Sequence, residues 1–537
     1  MDSIFSMLSS GAHFKKKRKA SVPSASDAVS DTPLSGGMSS DIPKITSEDS
    51  INELRNRLQI RVKGSDIPAP NTSFKDMNIS SELKPVLLSN IENSDWKEPT
   101  AIQMQAIPIM LQNRDILASA PTGSGKTASF VIPTLSKLQK GQKSGVRALL
   151  LAPTRELAEQ IHRETCRLCA GKRIRIGIVK KSNQTTDALQ GQATAYSKYD
   201  LLVSTPMRIV ALLRAKGINL ANVETVVLDE ADKLFEMEGH MLNAENSDDE
   251  DQNDWIDSKT SFLSQVDEIL SQCGTGHDQL NLQRALFSAT IGPLVQELAN
   301  SFLKNPVSVH IGVENAGALS ITQKLQFVGR EDGKALAIRQ LVTNGELRPP
   351  VLLFLQSKDR AKELYKELAY DGIKVDVMHS DRTQAQRETI INNFRTGVIW
   401  VLICTDLMAR GLDFKAVKMV INYDVPQSPV SYIHRIGRTG RAGRSGTAIT
   451  FFTEADIPNM RSIANVMKLS GCDVPDWLLS VKQLSTKQKR RLRVRAPERA
   501  SISSTSNYDK KKIAKKKRII EQSKQKKRRT ESQAEDT

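Results

Sequence analysis

The hydrophobic pattern changes character several times along the chain. From Phe74 to about His310, β-branched apolar runs alternate with longer amphipathic stretches, and "RALLLAP", "RIRIGIV", "YDLLVSTP", "VETVVLDEAD" and "RALFSAT" each read as a strand. Strands of this kind, separated by helical stretches, predict a parallel sheet with helices on both faces. A softer stretch, "GVENAGALS", follows, and the alternation restarts with "PPVLLFLQS", "IKVDVMHS", "VIWVLICTD" and "VKMVINYD". The pattern predicts two α/β domains in tandem, over residues 74–312 and 321–480, without a short-period repeat.

The flanks lack this rhythm. Residues 1–50 are rich in Ser, Asp and Pro and predict disorder. Residues 51–73 form an N-terminal flank, and 481–537 form a basic tail with too few large apolar residues to bury a core, expected to be disordered. Inside the first domain, "NAENSDDEDQNDWIDSK" (Asn243 to Lys259) reads as a mobile acidic insertion. No stretch approaches the roughly 18 uninterrupted apolar residues of a membrane span. The opening places its basic cluster after a short mixed segment, the reverse of a secretory signal, so an intracellular protein without a membrane partner is expected. "KKKRK" (Lys15 to Lys19) fits a nuclear import signal, a pattern that basic proteins also produce by chance.

Charge sharpens the picture. The net charge is +17, and between Lys482 and Arg529 there are 20 Lys or Arg against three acids, Glu498, Asp509 and Glu521. The tail thus holds the whole excess, and its natural counterpart is a polyanion such as nucleic acid; a merely solubilising tail is the alternative. The five cysteines are too few and scattered for a disulfide framework. Cys166 and Cys169 form one C-x-x-C, but they lie on a helical pattern with no second pair nearby, so packed thiols are expected and no ligand role is assigned.

The candidate chemistry starts at "ASAPTGSGKTASF" (118–130). After a strand, Gly123 and Gly125 let consecutive backbone N–H groups turn inward toward phosphate oxygens, and the following helix adds its positive end. Lys126 can reach the outer phosphates and Thr127 can bind Mg²⁺. A strict P-loop begins with Gly where this chain has Ala120, and a glycine-rich turn without phosphate is the plain alternative. That alternative recedes at "VVLDEAD", where an apolar strand ends in carboxylates. Asp229 is placed to hold Mg²⁺ and Glu230 to orient and deprotonate the attacking water. In the second domain, "HRIGRTGRAGR" groups His434, Arg435, Arg438 and Arg441. Arginines delivered across a cleft stabilise charge in phosphoryl transfer, and a generic nucleic-acid patch is the competing reading.

With these residues assembled, the chain resembles the DEAD-box ATP-dependent RNA helicases over roughly Phe74 to Trp477. The ordered motifs are "PTAIQ", "APTGSGKT", "PTRELA", "TPMR", "DEAD", "SAT", "CTDLMARGLDF" and "HRIGRTGR". The resemblance implies two tandem RecA-like domains, with ATP and Mg²⁺ as cofactors. It implies that Ala120, Thr122, Gly123, Ser124, Gly125, Lys126 and Thr127 hold the nucleotide, that Gln103 reads the adenine edge, and that Asp413 meets the ribose. Trp96 stands where an aromatic packs on the base, with Asp95 in place of the usual glycine, and Phe74 is the candidate upstream aromatic. Ser288, Ala289 and Thr290 would couple the nucleotide site to RNA, Arg438 and Arg441 would reach the γ-phosphate, and His434 would join the interdomain network.

For RNA the resemblance implies Pro153, Thr154, Arg155, Thr205 and Arg208, with Arg387 and Thr405 from the second domain. By that resemblance these residues would contact backbone and 2′-hydroxyls, so a preference for RNA over DNA without regard to sequence is expected. Where the family often has a glycine pair, "GIVKKSNQ" offers Lys180 and Lys181 as phosphate contacts. "FLQSKDRA" also differs from the commoner threonine-ending form.

The flank from Leu54 to Phe74, "VLDEADKLFE" and the basic tail are similar to the Rok-type nucleolar subgroup. That similarity implies pre-ribosomal RNA and particle proteins as partners, a protein activator, a monomer, and residence in the nucleus and nucleolus. The expected activity is an ATPase that clamps and locally unwinds RNA. An ATP-gated RNA clamp with slow, partner-controlled turnover and a DNA helicase are the rivals.

Overall fold

The computed structural model describes residues 47–94, 96–138, 145–179, 196–233, 262–275, 282–313, 316–318, 320–379, 381–406, 417–441 and 444–482, with isolated positions 484, 485, 488, 497, 499, 500, 502 and 515. The expectations for Asp95, Lys180, Lys181, Asp413, the segment 243–259 and residues 1–46 lie outside the described residues.

The first domain is a sheet of β2 (Ile116–Ser119), β3 (Ala148–Leu151), β4 (Ile176–Ile178), β5 (Leu201–Ser204), β6 (Thr225–Leu228), β7 (Gln283–Ser288) and β8 (Val307–Ile311). These strands are parallel in the order β8-β2-β7-β6-β3-β5-β4. The flank before Phe74 joins this sheet. After helix α1 (Glu48–Arg57), β1 (Ile60–Lys63) pairs antiparallel with β8, Ile60 opposite Ile311, and so covers what would be an open sheet edge. Around the sheet run α2 (Lys84–Glu92), α3 (Ala101–Leu111), α4 (Lys126–Lys137), α5 (Arg155–Leu168), α6 (Pro206–Arg214), α7 (Phe262–Gln272) and α8 (Pro293–Phe302). Strand β3 shows why its pattern is a continuous apolar run. Ala148 and Leu150 enter one core with Phe130 of α4 and Phe287 of β7, whose rings lie 5.1 Å apart, while Leu149 and Leu151 enter the core on the other face.

The second domain repeats the plan with β9 (Ile321–Phe327), β10 (Val351–Leu355), β11 (Val375–Met378), β12 (Val401–Thr405), β13 (Met419–Asn422) and β14 (Gly446–Phe452), all parallel in the order β11-β12-β10-β13-β14-β9. Its helices are α9 (Glu331–Thr343), α10 (Lys358–Tyr370), α11 (Gln384–Arg395), α12 (Pro429–Ile436), α13 (Ile457–Leu469) and α14 (Asp476–Ser480). Leu352 and Phe354 of β10 face one core, and Val351, Leu353 and Leu355 face the other. Most of the basic tail lies outside the described residues, and several of its described residues touch the second domain. Ile502 packs against the second of these cores and Arg499 is buried among carboxylates, because this short stretch carries an apolar residue and a charge that the domain can satisfy. Among the described residues no helix is long and apolar enough to cross a membrane.

Parallel strands bring their carboxyl ends to one edge, where ligands of open α/β sheets bind. Nearly every sequence motif falls there. The glycine loop follows β2, Pro153 and Thr154 follow β3, Thr205 follows β5, Asp229 follows β6, and Ala289 and Thr290 follow β7.

Candidate functional site

The loop after β2 has the conformation its glycines allow. Gly123 has φ +80° and Gly125 has φ +94°, and Gly125 serves as the left-handed N-cap of α4. Close neighbours also need these glycines. A Cβ on Gly125 would stand 2.5 Å from Nε2 of Gln103, and one on Gly123 would stand 2.8 Å from Cγ of Arg441, a residue of the second domain. Lys126 opens α4 and is buried, its Nζ donating to the carbonyls of Ala120 (2.5 Å) and Pro121 (3.1 Å). Burial lowers its pKa, while the nearby Asp229, Glu230 and Asp232 charges pull the other way. Among the described residues the buried Ser124 hydroxyl has no hydrogen-bond partner.

Gln103 sits at the third position of α3 in a capping box with Thr100. Its Oε1 accepts from the Thr100 N–H (3.0 Å), and its Nε2 donates to the Gly125 carbonyl (3.2 Å). The glutamine is therefore held on the glycine loop. The sequence singled out Gln103 but not Thr100; a Thr three positions before a Gln, ahead of an apolar run, is the signal that marks the pair. Trp96 is partly buried. Its ring packs on the first-domain core with the Arg167 guanidinium 4.9 Å from its centroid, and Arg167 is in the last turn of α5, about 20 Å along that helix from Thr154. Phe74 is buried in the same core.

At the end of β6 the carboxylates divide the work. Asp229 is buried and accepts the Glu230 N–H on Oδ1 at 2.9 Å; burial, then the Glu230 charge, raises its pKa. Burial pushes the Glu230 carboxyl the same way, but the Lys233 charge, the Arg438 charge and the hydrogen bond from Lys233 outweigh it and hold its pKa low. Lys233, fully buried, contacts Glu230 directly. Glu230 also has φ +50°, a left-handed backbone that a non-glycine residue adopts at a cost. Thr127, in the first turn of α4, and the buried Asp229 offer hard oxygen donors. The pair fits Mg²⁺, which is held by one or two carboxylates together with substrate phosphates.

Asp232 is the junction. Its Oδ2 accepts from the Thr290 N–H (3.0 Å), the Thr290 hydroxyl (2.6 Å) and Nε2 of His434 (3.0 Å), and Ser288 donates its hydroxyl to the Thr290 carbonyl (2.8 Å). Burial works against the Asp232 charge, yet His434 and Thr290 keep its pKa below the usual carboxylate range. His434 lies in the last turn of α12, a helix capped by Ser428, whose hydroxyl accepts from the Ser431 N–H. Burial, then the Lys233 charge, lowers the imidazole's pKa, so it stays neutral and donates to an ionised Asp232. The motifs "SAT", "DEAD" and "HRIGRTGR" thus meet at one oxygen. Sequence reasoning left out Asp232 and Lys233, although the last letter of "DEAD" and the following lysine are at helical spacing from the strand end.

The second domain closes on the loop. Thr122 donates its hydroxyl to the Gly437 carbonyl (3.2 Å), Arg441 lies against Gly123 with its Nε on the Gly437 carbonyl (2.8 Å), and Arg438 is buried near enough to Glu230 for its charge to bear on that carboxylate. Arg435 points elsewhere. It forms a two-pronged pair with Asp406 (2.6 and 2.7 Å) inside its own domain.

Three of the residues expected to contact RNA, Arg155, Arg208 and Arg387, also come together. Thr154 caps α5, accepting from the Leu157 N–H, and Arg155 pairs with Glu159 at 3.0 Å. Thr205 precedes α6 and Arg208 lies on it, donating to the Val179 carbonyl at 3.0 Å; burial, then the Arg155 charge, lowers the Arg208 pKa. From the second domain Arg387 of α11 reaches Glu156 at 3.6 Å, and Thr405 ends β12 opposite Leu355. Glu156 also acts on Arg208, so arginines of both domains gather around it. Pro153 is buried behind them.

Comparisons with known proteins agree with this assembly. Residues 100–298 match the DEAD/DEAH box helicase family, and residues 333–443 match the helicase conserved C-terminal domain. The chain is 46% identical over 468 residues to a protein of Dictyostelium discoideum named probable ATP-dependent RNA helicase ddx52, an alignment covering 86% of this chain and 65% of that one, so that this chain spans just under two thirds of it. It is 43% identical over 489 residues to the ATP-dependent RNA helicase ROK1 of Lodderomyces elongisporus, covering 90% and 83%. Among solved structures, S. cerevisiae Dbp5 bound to RNA and ADP BeF3 superposes with a TM-score of 0.60 at 26% identity, covering 79% of this chain and all of that one.

Proposed function

The chain belongs to the DEAD-box family of ATP-dependent RNA helicases, and from that membership and the geometry of the cleft we propose that it clamps RNA when ATP closes its two domains, and releases it on hydrolysis. The observation that carries this reading is the single Asp232 oxygen shared by Thr290 of the first domain and His434 of the second. A contact there links the hydrolytic carboxylates to domain closure, and closure is what draws Arg387 toward Arg155 and Arg208. Nucleotide state and RNA grip are then two readouts of one conformational change.

In the mechanism, Gln103 and the glycine loop hold the nucleotide, and Lys126 leaves the Ala120 carbonyl to meet phosphate oxygens. Thr127 and Asp229 would hold Mg²⁺, which when bound supplies charge neutralisation at the phosphates. Glu230 stays ionised beside Lys233, so it can orient a water and accept its proton. Arg438 and Arg441 stabilise the charge that develops on the transferred phosphoryl group. Arg155, Arg208, Arg387, Thr154, Thr205 and Thr405 grip the RNA backbone without reading bases, and the bend this imposes on one strand separates short duplexes. Both halves of the site come from one chain, which supports a monomeric enzyme. The similarity to ROK1, together with the basic tail, supports a nucleolar role on pre-ribosomal RNA in small-subunit assembly.

The test is ATP hydrolysis without nucleic acid, with RNA, and with DNA of the same sequence, run beside Glu230→Gln. Stimulation by RNA alone, abolished in the variant, is the expected result. Equal stimulation by DNA overturns the RNA reading. ATP-dependent RNA binding without stimulated hydrolysis replaces the helicase with a clamp that waits for an activating partner.

A further inference from the structure

A charge cluster made of residues outside the nucleotide site lies at the carboxyl ends of β9, β13, β14 and β10. Glu331, Asp424 and Asp456 follow the first three of these strands, and Lys334 and Arg360 come from the helices behind them. Lys334 is fully buried between Glu331 (3.0 Å) and Asp424 (3.1 Å), and Arg360 binds Asp424 (2.9 and 3.0 Å) and Glu331 (2.9 Å). These residues alone leave three carboxylates facing two cations, with Asp424 and Asp456 both buried. An uncompensated buried charge is strongly unfavourable, so the domain's own sheet leaves a place for one more cation.

The tail supplies it. Arg499, its side chain 5% exposed, donates to Glu331 (2.7 Å), to both oxygens of Asp456 (2.5 and 3.3 Å) and to Oε1 of Gln356 (3.0 Å), and stands 3.7 Å from Asp424. The backbone on either side is held too. Gln356 donates to the Pro497 carbonyl (2.7 Å), Arg360 donates to the Ala500 carbonyl, and the Ile502 N–H donates to Glu363 (2.8 Å) while its side chain packs on the domain core. A charged anchor, two captured carbonyls, one captured N–H and an apolar contact make a peptide-docking arrangement rather than a chance touch.

We propose that the carboxyl edge of the second domain is a docking site for an arginine-bearing peptide, filled in cis by Pro497, Arg499, Ala500 and Ile502 with Arg499 as its anchor. The docking residue Gln356 follows Leu355, which is paired with Thr405, so the strap crosses the edge one strand from a residue assigned to RNA. The docking itself rests on geometry and does not depend on the helicase reading.

The experiment uses the full chain and a fluorescent peptide of residues 495–504. In the wild type the site is occupied, so the peptide does not bind, the Ile502 amide exchanges at least tenfold more slowly than an unstructured amide, and trypsin spares the Arg499–Ala500 bond. In full-length Arg499→Glu the strap is expelled by the carboxylates. The peptide then binds, the same peptide carrying Arg499→Ala does not, and protection at Ile502 is lost. Peptide binding to both chains alike, or to neither, overturns the proposal. Should Arg499→Glu fail to fold, the wild-type exchange and cleavage decide alone: an Ile502 amide as fast as free chain, with ready cleavage after Arg499, rules the docking out.

Discussion

Replacing His434 by Ala tests the coupling at its narrowest point. His434 donates one hydrogen bond across the domain boundary, 3.0 Å to Asp232, and both groups are buried. The donor is neutral, because burial and Lys233 lower its pKa, and the acceptor is ionised, because His434 and Thr290 hold its pKa low against burial. A hydrogen bond to a charged group contributes about 1.5–3 kcal/mol, which converts to roughly a 10–150-fold shift in the equilibrium between closed and open domains. Asp232 also anchors Thr290, so the single variants do not isolate the bond; a cycle of His434→Ala, Asp232→Ala and the double variant does. Closure is read by energy transfer between dyes on the two domains, with RNA and a non-hydrolysable ATP analogue present. The expected coupling between the two positions is about 1.5–3 kcal/mol, with RNA-stimulated hydrolysis falling in parallel at sub-saturating RNA. A coupling inside the scatter of about 0.3–0.5 kcal/mol seen for independent sites would refute the claim that this oxygen links the domains.

Gly125→Ala forces a left-handed backbone on a residue whose Cβ collides with Gln103. The strain of about 1–2 kcal/mol, relieved by displacing Gln103 from the loop, predicts roughly a 5–30-fold rise in KM for ATP, with the melting temperature changed by only a few degrees. Arg387→Ala removes a cation that reaches across to Glu156, and filter binding at several salt concentrations should give a weaker RNA affinity with a salt slope shallower by about one. Acid should loosen the second domain. Burial disfavours the charges of Asp424 and Asp456, but Lys334 and Arg360 for the first, and Arg499 for the second, leave both pKa values below the unfolded value near 4. Their stabilisation is present above that value and lost as pH falls through the folded ones, so urea unfolding followed at pH 6, 4 and 3 should show a steeper loss in the wild type than in Asp424→Asn.

The amino-acid sequence determined the two tandem parallel sheets, because strands buried on both faces must be continuous apolar runs, and β3, β5, β6, β10 and β12 are such runs. It also determined the chemistry of the nucleotide loop and the acidic strand end, since glycines, a lysine and adjacent carboxylates have few other uses in that order. The edge strands were less legible. The run from Ile60 to Lys63 alternates with polar residues, and "ITQKLQF" at β9 carries polar side chains along its exposed face. Neither resembles a core strand until its partner is known. Only the tertiary structure decided the remaining points. It made Asp232 the meeting point of Thr290 and His434, turned Arg435 inward to Asp406, set Trp96 beneath Arg167, and bound Arg499 of the tail to a folded domain. Each depends on which charges and surfaces arrive from elsewhere in the chain, over separations of 202 residues between Asp232 and His434 and 168 between Glu331 and Arg499. Local sequence sets which groups are available, and the fold sets which of them find a partner out of water.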